Sequence, residues 1–296
     1  MIDTTGWTPW IPLQNSWLGG SLPKDGGLYR IRSQGQSAVD YIGQTGTGGM
    51  TLRKRLAMLR GVFGPEMPLC DPHVAGPGLW ALLQDRQIPF EVSVLPMPGA
   101  DAPQRKGQEA LAISIYRQQQ GVSPTINFGR MPIGFLRSSH NNARLKKQGK
   151  VFRGCRSALP PREYHQPGVS PVGSLGVDCH DLLWCGHRWS DWTAISDIPT
   201  EHLRHANGLY RFRRPGEPTL LYIGQGSVRS RLSTHLKKGA IPGHPQQPHF
   251  SVPNSLECSW VLSEGWLDHH RLELENDLIA AHVLAFGSSP TAQFLG

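Results

Sequence analysis

The sequence predicts a mixed α+β fold, with two related small domains in one chain. Short motifs occur twice in the same order, which indicates an internal repeat. Between the motifs, aromatic and β-branched runs alternate with leucines at helical spacing. Gly and Pro together make up about a fifth of the 296 residues, which indicates many turns. We expect a first domain at 1–129, a connecting segment at 130–188 and a second domain at 189–296.

The repeat is clearest in two tripeptides and a tryptophan pair. Gly-Leu-Tyr and Tyr-Ile-Gly occur twice, with the second set 181 residues after the first, at 27–29 and 41–43 and then at 208–210 and 222–224. Trp-x-x-Trp precedes each set, at 7–10 and 189–192. Further along, residues 91–128 align without a gap on residues 257–294. Chance does not explain an ordered recurrence of this length, so we interpret the two halves as copies of one unit.

Each copy has the pattern β-β-α-β-α. In the first copy, residues 27–32 and 39–42 are short and rich in aromatic and β-branched side chains, which predicts a β-hairpin. A helix with leucines at i, i+4 and i+7 is predicted next, then a strand at 90–95 and a helix centred on Glu109. The second copy repeats this order and closes on a helix centred on Glu275. The pattern predicts a small antiparallel sheet with helices packed on it.

The net charge of +8 is confined to one segment. Residues 130–170 contain nine Lys or Arg and one acidic residue, whereas the rest of the chain is balanced. A dense cationic block mixed with Asn and Gln amides is typical of contact with nucleic-acid phosphates. The alternative is a mobile, solvated spacer. The candidate DNA-binding residues are Arg144, Lys146, Lys147, Lys150 and Arg153.

Other classes of protein are disfavoured by the sequence. No apolar run approaches the roughly 18 residues of a membrane span, so we expect no membrane partner. The first residues lack the basic and apolar regions of a signal peptide. Five cysteines are an odd number and are widely spread, which favours a reducing cytoplasm over a disulfide framework.

Zinc is a weaker prediction. Cys179 and Cys185 are followed by His187, a spacing that is not standard for zinc, although Cys155 could complete four ligands. A structural zinc ion is possible but less favoured than unpaired cysteines.

The order Gly-Leu-Tyr, Tyr-Ile-Gly, helical Arg-Leu and helical Glu resembles the GIY-YIG endonuclease superfamily, and it does so in both copies. The resemblance implies hydrolysis of phosphodiester bonds in double-stranded DNA with Mg²⁺ or Mn²⁺ as cofactor. It implies that the helical Glu is the metal ligand, that is, Glu109 in the first copy and Glu275 in the second. The implied catalytic residues are Tyr29, Tyr41, Arg55, Glu109 and Asn127 in the first copy, and Tyr210, Tyr222, Arg231, His235 and Glu275 in the second.

The residue types fit this chemistry. A carboxylate can hold one Mg²⁺ that keeps waters and takes substrate phosphate as a further ligand. The guanidinium fork suits phosphoryl oxygens. A phenol has a pKa of about 10, so it needs nearby positive charge to accept a proton near neutrality. Taken singly, a strand Tyr more often packs and a helical Glu or Arg is more often solvated. Their coincidence in one order, twice, is what favours the site.

The copies differ at two positions. His235 follows Arg231 by one helical turn, whereas the first copy has Leu59 there. The first copy ends with Asn127, whereas the second has Gln293. His73, in an insertion of the first copy, could replace the missing histidine, and a turn histidine without that role is the alternative.

The main hypothesis is an endonuclease with two active sites in one chain, suited to cutting both strands as a monomer. Restriction or anti-phage defence is the expected role, because no helicase or ATPase motif accompanies the repeat. One catalytic copy beside a degenerate DNA-recognition copy is an alternative. A non-catalytic DNA-binding protein is another.

Overall fold

The computed structural model describes residues 6–71, 73–198, 201, 203, 206–252 and 255–295. The chain divides into two compact units. The first comprises residues 1–105 and 123–167, and the second comprises residues 106–122 and 168–296. Each contains a four-stranded antiparallel sheet with helices, which confirms the α+β class.

Within the described ranges, no helix combines the length and the apolar composition that a membrane crossing requires.

The first unit follows the predicted order of elements with two additions. Its elements are β1 (Ile11–Pro12), β2 (Gly27–Ser33), β3 (Tyr41–Thr45), α1 (Leu52–Ala57), α2 (Gly76–Arg86), β4 (Phe90–Pro96) and the first residues of α3 (Ala102–Gln120). The strands pair in the order β1-β4-β2-β3. The hairpin, the third predicted strand and the closing helix are confirmed. The edge strand β1 and helix α2 were not predicted, because α2 begins with Gly-Pro-Gly, a poor helix signal.

Residues 123–167 fold with the first unit. Two short strands, β5 (Phe135–Leu136) and β6 (Cys155–Arg156), pair antiparallel, and a short helix, α4 (Ala143–Lys147), lies between them in the chain. We call residues 135–156 the basic arm, since they contain seven Lys or Arg and no Asp or Glu. At its base, the Phe135 ring packs edge-on against Trp80, with centroids 6.1 Å apart. The base of the arm is therefore part of a small hydrophobic cluster.

The second unit follows the same order. After the later part of α3 it contains β7 (Thr193–Ala194), β8 (Asn207–Arg213), β9 (Tyr222–Ser227), α5 (Val228–Gly239), α6 (Gln247–Phe250), β10 (Glu257–Leu262) and α7 (Asp268–Phe286). Its strands pair in the order β7-β10-β8-β9. The predicted hairpin, helix, strand and closing helix are confirmed, and β7 and α6 are additions.

The repeated Trp-x-x-Trp motif packs on an arginine in each unit. In the first, Arg30 lies over both tryptophans, 4.6 and 4.8 Å from their ring centroids. In the second, Arg211 does the same at 4.2 and 4.5 Å. Each arginine directly follows a Gly-Leu-Tyr motif. Arg211 is fully buried, and burial lowers its pKa to about 9. The cation–π contacts therefore stabilise the strand that carries the first tyrosine.

Buried ionic groups join α3 to α7 inside the second unit. The Arg117 guanidinium donates to both carboxylate oxygens of Asp277, at 2.9 Å and 3.0 Å, and lies 3.4 Å from Glu273. The hydroxyl of Ser114 donates to Asp277 at 2.8 Å. Removing one partner of such a group leaves a buried charge, which typically costs about 3–5 kcal/mol. This network explains why residues 106–122 belong to the second unit.

Candidate active site

The two tyrosines of the second copy lie side by side on neighbouring strands. Tyr210 of β8 is in register with Gly224 of β9, and Tyr222 begins β9 opposite Phe212. The two phenol rings are stacked, with centroids 6.1 Å apart. Tyr210 is 2% exposed, whereas Tyr222 is half-buried. The pair therefore extends from the core toward the surface.

The glycine that ends each Tyr-Ile-Gly motif makes room for a phenol. A Cβ on Gly224 would lie 2.3 Å from the hydroxyl oxygen of Tyr210. A Cβ on Gly43 would lie 2.7 Å from the hydroxyl oxygen of Tyr29. Both distances are too short for non-bonded atoms, so any larger residue would displace the tyrosine.

His235 of α5 joins the tyrosine pair. Its Nε2 lies 3.2 Å from the Tyr210 hydroxyl oxygen, and its ring contacts Tyr222 at a centroid distance of 4.4 Å. Phe250 stacks on the other side at 4.8 Å. Burial lowers the pKa of His235 to about 4, and Arg231 acts in the same direction. The ring is therefore neutral at pH 7, and its Nε2 can accept the hydroxyl hydrogen of Tyr210.

Arg231 and Glu275 complete this cluster electrostatically. Burial raises the pKa of the Glu275 carboxyl to about 8, and the Arg231 guanidinium opposes that shift. Burial raises the pKa of Tyr222 to about 12, and the nearby Glu275 charge adds to the increase. Arg231 is exposed and Glu275 is half-buried. Side chains from β8, β9, α5 and α7 thus share one site within the second unit.

The first unit reaches a similar contact with a histidine from another segment. His73 Nε2 lies 2.9 Å from the Tyr29 hydroxyl oxygen, and the ring centroids of His73 and Tyr41 are 6.1 Å apart. His73 is 2% exposed, and burial, followed by the charge of Arg55, holds its pKa well below the ordinary value. Leu59 packs in the hydrophobic core instead. This direct contact with Tyr29 supports the hypothesis that His73 replaces the histidine that the first copy lacks at the position of Leu59.

Glu109 lies on α3, among the residues that fold with the second unit. Tyr29, Tyr41 and Arg55 belong to the first unit.

The terminal amides of the two copies both bind a strand backbone. In the first unit, Asn127 Oδ1 accepts from the main-chain N–H of Ile42, and Asn127 Nδ2 donates to the Ile42 carbonyl, both at 2.9 Å. In the second unit, Gln293 Oε1 accepts from the N–H of Ile223 at 3.0 Å. These amides fix the residue that follows the second tyrosine of each copy, so they position the site.

Four of the five candidate DNA-binding side chains are free to contact a ligand. Arg144, Lys146, Lys147 and Lys150 are exposed on the outer part of the basic arm. Arg153 instead donates to the Met67 carbonyl at 3.0 Å and lies 3.3 Å from Glu66. It therefore contributes to the attachment of the arm.

The candidate zinc ligands show no metal-like grouping. Across the described residues, three or more His, Cys, Asp or Glu side chains nowhere cluster as a structural zinc site would require. Burial raises the pKa of the Cys179 thiol to about 11 and that of Cys185 to about 12. Cys155 is exposed on β6. In the absence of a metal, burial therefore favours the protonated form of both thiols.

No family model matches the chain, and no curated protein or solved structure matches it either.

Proposed function

We propose that the protein is a metal-dependent DNA endonuclease built from two GIY-YIG-like copies, each with its own active site. The observation that supports this best is the meeting of Tyr210, Tyr222, Arg231 and Glu275 from four elements of the second unit. Packing alone would not require a tyrosine to lie beside this arginine and glutamate, and an arginine exposed only to solvent would not need to lie beside the tyrosines. The matching strand orders of the two sheets support the descent of both copies from one unit.

The chain supplies a proton path for water activation. Tyr222 is hydrogen-bonded to Tyr210, which is hydrogen-bonded to the neutral ring of His235. In the proposed reaction, the half-buried Tyr222 takes a proton from the attacking water while His235 receives one through Tyr210. The water oxygen bonds to phosphorus, the bond to the leaving oxygen breaks, and solvent protonates that oxygen. The exposed Arg231 stabilises the charge on the phosphoryl oxygens.

Glu275 fits a divalent cation. Its carboxyl is desolvated, and Arg231 offsets this only in part, so the pKa stays near 8. A cation beside it would supply the missing positive charge and favour the ionised form. Bound Mg²⁺ or Mn²⁺ would polarise a phosphoryl oxygen as a Lewis acid. Glu109 is the corresponding ligand that we propose for the first copy.

The proposed substrate is double-stranded DNA. All seven Lys and Arg residues of the basic arm are exposed and the arm has no acidic residue, which suits a phosphate backbone. The outer face of α5 adds an open polar groove of about 310 Å³, lined by Ser227, Arg229, Ser230, Ser233, Thr234 and Lys237. This groove lies on the helix that carries Arg231. A DNA strand bound at Arg231 could therefore also contact the hydroxyl and cationic side chains of the groove.

Two sites in one chain suit double-strand cleavage by a monomer. We propose a role in restriction or defence against phage DNA, acting in the cytoplasm. Digestion of modified and unmodified phage DNA, followed by sequencing of the cut ends, would identify the target.

Supercoiled plasmid tests the two-site proposal. With Mg²⁺ or Mn²⁺ the wild-type protein should linearise plasmid, and EDTA should stop it. Glu109→Ala and Glu275→Ala should each yield nicked circles, because one strand is cut and the other is not. The double variant should lose cutting by about 10³-fold or more, since each site lacks its metal ligand.

The outcomes separate the alternatives. If one of the two Glu variants linearises plasmid at the wild-type rate, that copy is a recognition domain only. DNA binding without cutting under any metal condition would leave a non-catalytic DNA-binding protein. Asp85→Ala serves as the control, because it also removes one negative charge, from an exposed side chain on α2.

The basic arm should dominate the salt dependence of binding. Replacing Arg144, Lys146, Lys147 and Lys150 with Gln removes about four phosphate contacts, so the slope of log Kd against log salt should decrease by about 3 to 4. Circular dichroism checks that both units stay folded. An unchanged slope would show that the arm is not the DNA interface.

A further inference from the structure

The segment that carries His73 is attached to the basic arm. We call residues 66–71 together with His73 the histidine loop. The main-chain N–H of Cys70 donates to the Ser139 carbonyl at 3.1 Å, and the Cys70 thiol donates to the Ser138 carbonyl at 2.9 Å. Arg153 of the arm binds the loop from its other side, as described above. The histidine loop is therefore hydrogen-bonded to the arm at several positions.

Asp71 makes the attachment closest to the site. One carboxylate oxygen accepts from the main-chain N–H of Asn141 at 2.8 Å, and the other lies 3.2 Å from His140 Nδ1. Two residues later in the chain, His73 contacts Tyr29. Asp71 thus binds the arm just before Arg144 in the chain, and it lies two residues from the histidine that contacts Tyr29.

His73 depends on its backbone for its position. Within the described part of the chain, its Nδ1 is buried without a hydrogen-bond partner. Its one side-chain hydrogen bond there is therefore the bond to Tyr29. An imidazole held by a single bond keeps its place only if the loop is fixed, and a shift of about 1 Å at a reacting group can cost a large factor in rate.

We propose that Asp71 is a positioning residue through which nucleic acid bound to the basic arm fixes His73 on Tyr29, so that the first site is fully active only when the arm is occupied. This regulation rests on the proposed nuclease function. Phosphates that bind the exposed cations restrain the arm, the arm restrains Asp71, and Asp71 in turn limits the movement of His73. By linkage, an ordered loop also favours the arm conformation that binds DNA.

The second unit provides an internal comparison. Its histidine, His235, lies on α5, a helix of 12 residues whose backbone hydrogen bonds hold the ring in place. The second site should therefore not respond to changes at Asp71.

Hydrogen exchange tests the coupling without any cleavage. In EDTA, addition of a DNA duplex should slow exchange at the Cys70 amide and its loop neighbours about fivefold or more in the wild-type protein. Asp71→Ala should abolish this slowing while leaving DNA affinity within about twofold, because the exposed cations are intact. Asp71→Asn keeps an acceptor for the Asn141 amide and should restore most of it. Equal slowing in wild type and Asp71→Ala overturns the proposal.

Single-site backgrounds test the effect on cleavage. With Glu275→Gln, which leaves the first site, Asp71→Ala should lower kcat about tenfold and change KM little. With Glu109→Gln, which leaves the second site, it should change neither. Asp85→Ala should have no effect in either background.

The two readouts distinguish two kinds of failure. If both sites lose activity equally, or the first site loses none, the coupling is wrong although the protein is a nuclease. If no variant cuts DNA but the loop is still protected through Asp71, the coupling stands and the nuclease proposal fails. Absence of DNA binding by the wild-type protein overturns the coupling as well.

Discussion

The tyrosine–histidine contacts of the two units are alike in geometry and different in origin. Tyr29 and His73 meet at 2.9 Å, and Tyr210 and His235 meet at 3.2 Å, with the histidine neutral in both. One histidine comes from a helix that follows the hairpin, and the other comes from an inserted loop. The comparison teaches that a contact can recur when its position in the sequence does not. The backbone around the two histidines also differs, because His235 lies within a helix and His73 does not.

The largest expected effect comes from removing each histidine. In the matching single-site backgrounds, His73→Ala and His235→Ala should each lower the rate of their own site by about 10²-fold, the usual contribution of a proton-transfer group. Added imidazole should restore part of the activity, since it can occupy the vacated space and accept the proton.

Two results would break the comparison. If His73→Ala leaves first-site cutting unchanged, His73 is a packing residue and the two sites differ in mechanism. If imidazole restores neither variant while both remain folded, the histidines support the tyrosines only structurally.

The next effect concerns the terminal amides. Asn127 makes two bonds to the backbone of Ile42, so Asn127→Ala should reduce the local stability around that strand by roughly 2 kcal/mol. Gln293→Ala removes the bond to Ile223 and should cost about half as much. Residue-level hydrogen exchange at Ile42 and Ile223 measures both. Asn127→Gln copies the second unit into the first and should fall between. Equal losses for the two Ala variants would contradict this ranking.

The last effect distinguishes the two copies by the pH dependence of stability. His282 Nε2 accepts from the Leu220 N–H at 3.2 Å, Nδ1 donates to the Ser288 carbonyl at 2.7 Å, and burial lowers the pKa from 6.5 to about 4. The unfolded chain therefore binds a proton at higher pH than the folded one. The contribution of His282 to the free energy of unfolding is complete above pH 6.5 and is lost as the pH falls toward 4, by roughly 3 kcal/mol at most.

The first copy has Tyr116 at the aligned position and therefore lacks the matching histidine. An NMR titration should place the midpoint of His282 near 4. His282→Gln should make the urea unfolding curves at pH 7 and at about pH 4.5 more alike. A midpoint near 6.5 would contradict the burial argument.

The sequence predicted the elements of both sheets well, because their signals are local. Aromatic and β-branched runs marked the hairpins and β4, and leucine spacing marked the helices. The tyrosines, Arg231 and Glu275 were predicted by motif order, and the second unit brings them together. The edge strands β1 and β7 were missed because two residues carry too little pattern. Helix α2 was missed because its stability comes from burial against the core rather than from propensity.

The basic arm shows the limit of charge arguments. Composition marked 130–170 as a cationic segment but gave no shape. The attachment of the arm to the histidine loop depends on contacts between residues about 70 positions apart, such as Asp71 with Asn141. No local periodicity reports such contacts, so only the folded chain reveals them.

By itself, the sequence determined the recurrence of the short motifs, the α+β class, the residue types of the candidate sites and the place of the net charge, since each depends on short-range order along the chain. The tertiary structure decided which histidine reaches each tyrosine, which arginines of the arm bind the rest of the first unit, and which unit contains the later part of α3. These depend on burial and on pairing between distant segments. A buried ion pair such as Arg117 with Asp277, or a contact such as His73 with Tyr29, has no signature in the order of the residues until the chain is folded.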